Sequence, residues 1–475
     1  MVVTEVPTAR RRWTVLAICA LALFLVGLDT TIVTVGLGAI GRGLGVEAGR
    51  LAWVVDAYTV TFASLLITAG ALADRFGRRR VFQIGLVVFA VASLACAVAP
   101  GVELLVVARV LQGVGASMLP PVALAIVVAA MPDPRERARA IGVWGAMFGL
   151  SMAAGPVTGG ALIALFGWRS VFWVNVPVVL VAIVLVRALV PESRGVRVRR
   201  LDPVGQVLLI AVLWVGVGVL IEGPRVGWGS PAVLAGCGVV GVLLVVFVWV
   251  ESRRGEPLIE PGLFRVPSFA AAVVGAVAVF VAFSMVLLMA TLYLQGRGWS
   301  PLAAGVATLP MALGATVCAP VSGYLVGRVG ARVPLLMAGA CLALGGGVLV
   351  VSGVGPAAFV LVGVGVGFAN APITNTAVSG LPADRAGVAG GTASTARQIG
   401  TAGGVAVAGS LVAGVAAEGF AEAALPGWWV VAGCGVLLLA VAAVSPRHPD
   451  RPAASAAGEA PREPSPPVGR RELTG

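Results

Sequence analysis

Apolar runs of about 20 residues recur from one end of the chain to the other, separated by short segments rich in Arg, Pro and Gly. A helix of that length crosses a hydrocarbon core of roughly 30 Å, so the pattern predicts membrane-spanning helices rather than a core packed in water. Segments of about ten residues alternating apolar and polar, the mark of a barrel strand, do not occur. Spans are expected at residues 14–38, 51–72, 81–99, 104–130, 140–165, 170–190, 204–221, 231–250, 269–294, 302–326, 333–351, 356–377, 387–415 and 428–445. That makes fourteen, and an even count places both termini on the same side.

The distribution of Arg tests this count, because a missed or invented helix would scramble its alternation between loops. Of 33 cations, 25 fall on one side, among them Arg10 to Arg12, Arg78 to Arg80 and Arg135. The opposite side holds five, Arg42, Arg50, Arg169, Arg225 and Arg297, while Arg109, Arg187 and Arg397 lie inside predicted spans. The Arg-rich side is therefore expected to be cytoplasmic, with both termini there.

Composition agrees with the pattern and excludes several classes. At 59% hydrophobic and 11% charged residues, the chain lacks the polar surface of a water-soluble globule. Its net charge of +12 is loop anchoring rather than a footprint for nucleic acid. Every cation is Arg, so a Walker A loop, which needs Lys, is absent and no ATP-driven pump is encoded. The six cysteines sit singly in apolar runs, and the one histidine, His448, lies in the tail. No metal site, cofactor or histidine relay is expected. The first apolar run is too long for a signal-peptide core and should persist as a span. Residues 446–475, rich in Pro, Ala, Arg and Glu, are expected to form a disordered cytoplasmic tail.

An internal repeat emerges from the loops. The stretch from Gly70 to Arg79 aligns with Gly323 to Arg332 and agrees at five of ten positions. A similar offset places Gly113 and Gly115 on Gly365 and Gly367, and Pro120 on Pro372. Two related six-helix units are expected, at 14–190 and 269–445, after a short N-terminus at 1–13. The linker at 191–268 contributes two inserted central helices. Paired bundles meeting at a midplane cavity are the arrangement of many secondary transporters.

The segment Gly70-Ala71-Leu72-Ala73-Asp74-Arg75-Phe76-Gly77-Arg78-Arg79-Arg80 resembles the loop two-to-three signature of the major facilitator superfamily. Its glycines permit close backbone approach, and Asp74 at a helix end can pair with Arg to latch one conformation. The resemblance assigns Asp74, Arg75, Gly77 and Arg78 to gating; Gly327 replaces the acid in the second copy, so the latch should be one-sided. In the fifth span, Gly149 to Gly160 resembles the antiporter signature of the superfamily's drug exporters. Small residues there allow tight helix contact, and Pro156 frees a carbonyl, so Gly155, Pro156, Gly159 and Gly160 are expected to form a hinge or a seal.

Helix one carries Leu28 to Val35, similar to the signature of the fourteen-span drug:proton antiporters, with Thr34 where that family has Asn. Asp29 is a carboxylate inside a span, which marks a functional site and requires a partner or a proton. By helix rise it lies about 12 to 16 Å deep, and Arg109 about 8 to 10 Å, close enough for their long side chains to meet. Arg109 belongs to Arg109-Val110-Leu111-Gln112-Gly113, which resembles the helix-four segment assigned in the family to proton coupling; its counterpart in the second copy is Leu361. Asp56, Gln112, Glu222 and Arg397 are secondary candidates. Asp56 and Glu222 fall near outer helix ends, where water or a neighbouring Arg can satisfy them, and Arg397 is placed to snorkel.

The resemblance runs from about Gly27 to Gly414. It implies an all-α membrane protein of the major facilitator fold, with two pseudo-symmetric bundles, and no enzyme. Its function would be export of a drug, antibiotic or other toxic organic compound in exchange for protons. The expected partners are that small organic substrate, protons and the lipid bilayer, with the protein working as a monomer. An endogenous metabolite, such as a self-made antibiotic, an amino acid or a siderophore, is the alternative cargo on the same fold.

Overall fold

The computed structural model describes residues 9–46, 48–131, 133–194, 201–378, 386–412, 415 and 419–445. Among these residues the regular structure is helical throughout. The chain begins with α1 (Ala9–Leu44), α2 (Ala48–Phe76), α3 (Arg78–Ala97), α4 (Val102–Ser117), α5 (Pro120–Ala130) and α6 (Pro134–Phe166). There follow α7 (Ser170–Trp173), α8 (Asn175–Leu189), α9 (Pro203–Val226) and α10 (Pro231–Ser252), then a 3-10 turn at Pro261–Arg265. The remainder comprises α11 (Pro267–Gly296), α12 (Pro301–Ala307), α13 (Leu309–Val329), α14 (Arg332–Ser352), α15 (Pro356–Val378), α16 (Ala386–Val412) and α17 (Phe420–Val444).

Three expected spans are broken once. The fourth splits into α4 and α5, where Pro120 and Pro121 cannot donate to the preceding turn. The sixth splits into α7 and α8, and the tenth breaks at Thr308, just before Pro310. Elsewhere Pro156, Pro224, Pro320, Pro372 and Pro426 sit inside continuous helices, where neighbouring helices stabilise the bend.

Among the described residues, twelve helices or broken pairs are long and apolar enough to cross a membrane. The expected fourteen are not reached by that measure. The two expected spans outside it correspond to α6 (33 residues) and α16 (27 residues), whose sequences are rich in Gly and Ala. Both nevertheless pack lengthwise in the interior, α6 on α1 and α16 on α11.

Packing divides the helices into groups. In the first, α1 lies against α5, α6 and α8, and α4 against α2 and α3; in the second, α11 contacts α15, α16 and α17, and α14 contacts α15 and α17. The groups meet along α2 with α16, α6 with α12 and α13, and α1 with α11. Many of these contacts lie in the Arg-poor half. Gln295 Nε2 donates to the Val35 carbonyl at 2.9 Å, and Ala52 and Val60 pack with Ala402 and Ala406. An apolar core therefore runs through both groups, from Ile32 and Leu37 to Phe283 and Leu287.

The linker helices differ sharply from one another. α9 lies in the groove between α2 and α16, whereas α10 rests mainly on α9 and exposes Val242, Val245 and Trp249. In a bilayer that apolar face meets lipid.

Candidate functional site

Asp29 and Arg109 meet inside the first group, and both are 0% exposed. Arg109 Nη1 donates to Asp29 Oδ2 at 2.6 Å and to Gln112 Oε1 at 2.7 Å. Its Nε donates to the Val54 carbonyl at 2.9 Å, and its guanidinium carbon lies 4.1 Å from the centre of the Tyr58 ring. The other carboxylate oxygen, Oδ1, accepts from Gln112 Nε2 at 2.9 Å and from Asn175 Nδ2 at 2.8 Å. Gln112 Nε2 also reaches Ser93 Oγ at 2.9 Å.

Five helices thus join one network: α4 and α8 donate to the carboxylate on α1, while α2 and α3 contact Arg109 and Gln112. Arg109 and Gln112 are three residues apart, so they share a face of α4, and Asn175 opens α8 at the break after Trp173. Burying two charges is costly unless they are paired and further hydrogen-bonded, a condition the amides and the aromatic face fulfil. Of the carboxylate, guanidinium and amide atoms in this network, Arg109 Nη2 and Asn175 Oδ1 have no hydrogen-bond partner among the described residues. Asn175, Ser93 and Tyr58 carried no role in the sequence argument. The available signal was a lone Asn entering an apolar run, within the Trp168 to Pro177 stretch.

Asp56 departs from expectation. It is 0% exposed on α2, and neither carboxylate oxygen has a hydrogen-bond partner among the described residues. It is therefore enclosed by protein rather than open at a helix end: Ala52 and Val60 on either side of it pack with Val217 and Ile221 of α9 and with Ala402 and Ala406 of α16. Glu222 does have partners: Oε2 accepts from Arg225 Nη1 at 2.8 Å and Oε1 from Trp53 Nε1 at 3.2 Å. Arg397 leans toward the end of α15 and the start of α16, among neutral side chains. Its guanidinium donates to Ser394 Oγ at 2.7 Å, and to Asn370 Oδ1 and Thr374 Oγ1 at 3.3 Å each.

The α2–α3 loop builds an ion-paired corner. Arg78 Nη2 pairs with Asp74 Oδ1 at 2.8 Å and its Nη1 caps the Ala125 carbonyl at 3.2 Å. Gly77 has φ of 110°, a backbone region that favours glycine, and a Cβ there would come within 2.8 Å of the Glu192 carboxyl. That close approach lets Glu192 Oε1 accept from the Arg79 backbone N–H at 3.0 Å. Arg75 is exposed and lies over Phe76 at 5.5 Å.

The fifth-span glycines are contact points. A Cβ on Gly155 would strike the Thr31 side chain, and one on Gly159 would come within 2.7 Å of Ile32 Cγ1, so α6 and α1 pack backbone to backbone just beyond Asp29. Across the group boundary, a Cβ on Gly160 would approach Leu302 Cα at 2.5 Å, and Gly305 lies against the Pro156 carbonyl. The stretch therefore joins the helix that carries the buried acid to the second group.

Three likenesses place this arrangement. The chain is 41% identical over 400 residues to the multidrug resistance protein Stp of Mycobacterium tuberculosis, spanning 83% of this chain and 74% of that protein. It is 37% identical to the tetracenomycin C resistance and export protein of Streptomyces glaucescens, over 88% of this chain and 79% of the relative. A crystal structure of a bacterial homologue of the human lysosomal transporter Spinster shares the fold, with a TM-score of 0.61 at 17% identity over 92% of this chain and 97% of that one. The Major Facilitator Superfamily profile matches residues 19–405, and with these relatives and this fold the chain belongs to that superfamily.

Proposed function

We propose that the protein exports drugs, antibiotics or other toxic organic compounds across the cytoplasmic membrane, driven by protons moving the other way. The observation that carries this reading is the sealed network of Asp29, Arg109, Gln112 and Asn175, set against the Gly155 and Gly159 contact between α1 and α6. Relatives named for multidrug resistance and for tetracenomycin C resistance and export support the direction and class of cargo. The Streptomyces relative, named for resistance to and export of tetracenomycin C, supports an antibiotic as the cargo.

In this reading, a proton on Asp29 removes the charge on which Arg109, Gln112 and Asn175 converge. Arg109 is then an unpaired buried cation, and the network must rearrange or admit water. Because α6 touches α1 through Gly155 and Gly159, and α12 through Gly160, that rearrangement is transmitted to the group boundary. Asp74 and Arg78 bias the same equilibrium from the Arg-rich end. Cargo that binds one state better than the other is thereby coupled to the proton.

Fourteen crossings belong to this proposal: the twelve apolar spans together with α6 and α16. So do the division at 14–190 and 269–445, cytoplasmic termini and a working monomer. The decisive test is reconstitution of the full chain in liposomes with an imposed pH difference. Accumulation of substrate should follow the gradient and vanish in Asp29→Asn; transport that ignores the gradient would refute the coupling.

A further inference from the structure

We infer that Arg397 is a specificity-determining residue that receives a negatively charged or electron-rich oxygen of the cargo; this deepens the export reading and rests on it. A guanidinium inside a span is costly, and in the first group that cost is offset by a buried carboxylate. Arg397 has a different environment. Its hydrogen-bond partners among the described residues, Asn370, Thr374 and Ser394, are all neutral. No acid among the described residues pairs with it, so there the positive charge is held in place but not cancelled.

The helices around it give the cluster an opening. Gly363 and Gly367 set one stripe of α15 against Met311 and Ala315 of α13, and Asn370 and Thr374 continue that stripe two turns further on. Arg397 reaches the same stripe from α16. α13 touches α6 and α16 touches α2, so the helices flanking this cluster border the first group. Thr374 is exposed, and Asn370, Ser394 and Arg397 are half-buried. A membrane-embedded polar cluster with that exposure, on that side, lines the space between the groups where cargo must pass.

The opposite wall offers no competing charge from the proton site. Asp29 is fully buried and both of its oxygens are occupied, so it cannot serve as the counter-ion for a cationic cargo in this conformation. A carboxylate, sulfonate, phenolate or enolate would instead gain charge-assisted hydrogen bonds from Arg397, with the neutral partners holding the planar fork in position.

The test uses the purified full chain in nanodiscs, with fluorescence polarisation of two aromatic probes, fluorescein as the anion and ethidium as the cation. Arg397→Gln should weaken fluorescein binding by about 10- to 100-fold and leave ethidium unchanged, while Arg397→Lys retains most of the anion affinity. If Arg397→Gln does not fold, Asn370→Asp provides the same readout, since a carboxylate 3.3 Å from the guanidinium neutralises it in place. Unchanged fluorescein binding, equal loss of both probes, or a wild-type protein that ignores fluorescein would overturn the assignment. Selective loss of the anion supports it, even if wild-type liposomes show no pH-driven efflux; that second result would defeat export alone. Gradient-driven ethidium efflux with fluorescein binding indifferent to Arg397 would defeat the anion site and leave export standing.

Discussion

The α2–α3 and α13–α14 corners occupy equivalent places in the two helix groups, and their backbones match. Gly77 and Gly330 both sit at positive φ, 110° and 81°, and each N–H closes the preceding helix onto the carbonyl four residues back. Their chemistry diverges. The first corner holds the Asp74 and Arg78 ion pair, whereas the second has Gly327 where the acid would stand. The same contrast recurs in the interior, where Arg109 anchors a sealed polar network and its counterpart Leu361 packs near Gly345 and Val362. The turn is shared, and of these two pairs of equivalent places only the first-group ones hold an ion pair among the described residues.

The largest effect expected from breaking that asymmetry is at the network. Asp29→Asn and Arg109→Ala should each reduce gradient-driven transport to background in liposomes. Arg109→Ala should also lower unfolding stability by about 3–5 kcal/mol, because it strands a buried carboxylate. By contrast, Leu361→Met should stay within about 1.5 kcal/mol of wild type and leave transport intact.

A smaller effect separates two glycines. Gly160 faces the Leu302 backbone across the group boundary, while Gly323 has open space where a Cβ would go. Gly160→Val should cost about 1–3 kcal/mol by overpacking and slow transport, whereas Gly323→Ala should be silent in both thermal unfolding and flux.

At the corner itself, Asp74→Asn should change stability by no more than about 1 kcal/mol, since the pair is partly solvated and screened. Its measurable consequence should be a reduced transport rate, and Gly327→Asp should not restore it. Smallest of all is Glu222→Gln: the 2.8 Å contact with Arg225 is half-exposed, and a drug-susceptibility assay should not distinguish the variant from wild type.

Much of the fold was legible without coordinates, because a bilayer imposes a simple demand. Each crossing needs about 20 apolar residues with its backbone bonds satisfied internally, and that requirement is written locally in the chain. It was less legible for α6 and α16, whose small and polar residues serve helix contact rather than lipid. Asp29 and Arg109 could be named as candidate partners from depth, since helix rise converts residue number into distance along the membrane normal.

Rotation of each helix and the choice of neighbours could not be obtained in that way. Nothing local to Asn175 or Ser93 shows that they close around Asp29 and Gln112, and nothing local to Asp56 shows that packing would leave its carboxyl without a partner. Arg397 was expected to reach toward a helix end, and nothing local shows that the side chains receiving it, Asn370, Thr374 and Ser394, come from two helices. The sequence by itself determined which segments enter the membrane and how deep each charge sits, because those depend on composition and rise along one helix. Only the tertiary structure decided which charges are cancelled and which remain available, because that depends on side chains brought together from helices distant in the chain.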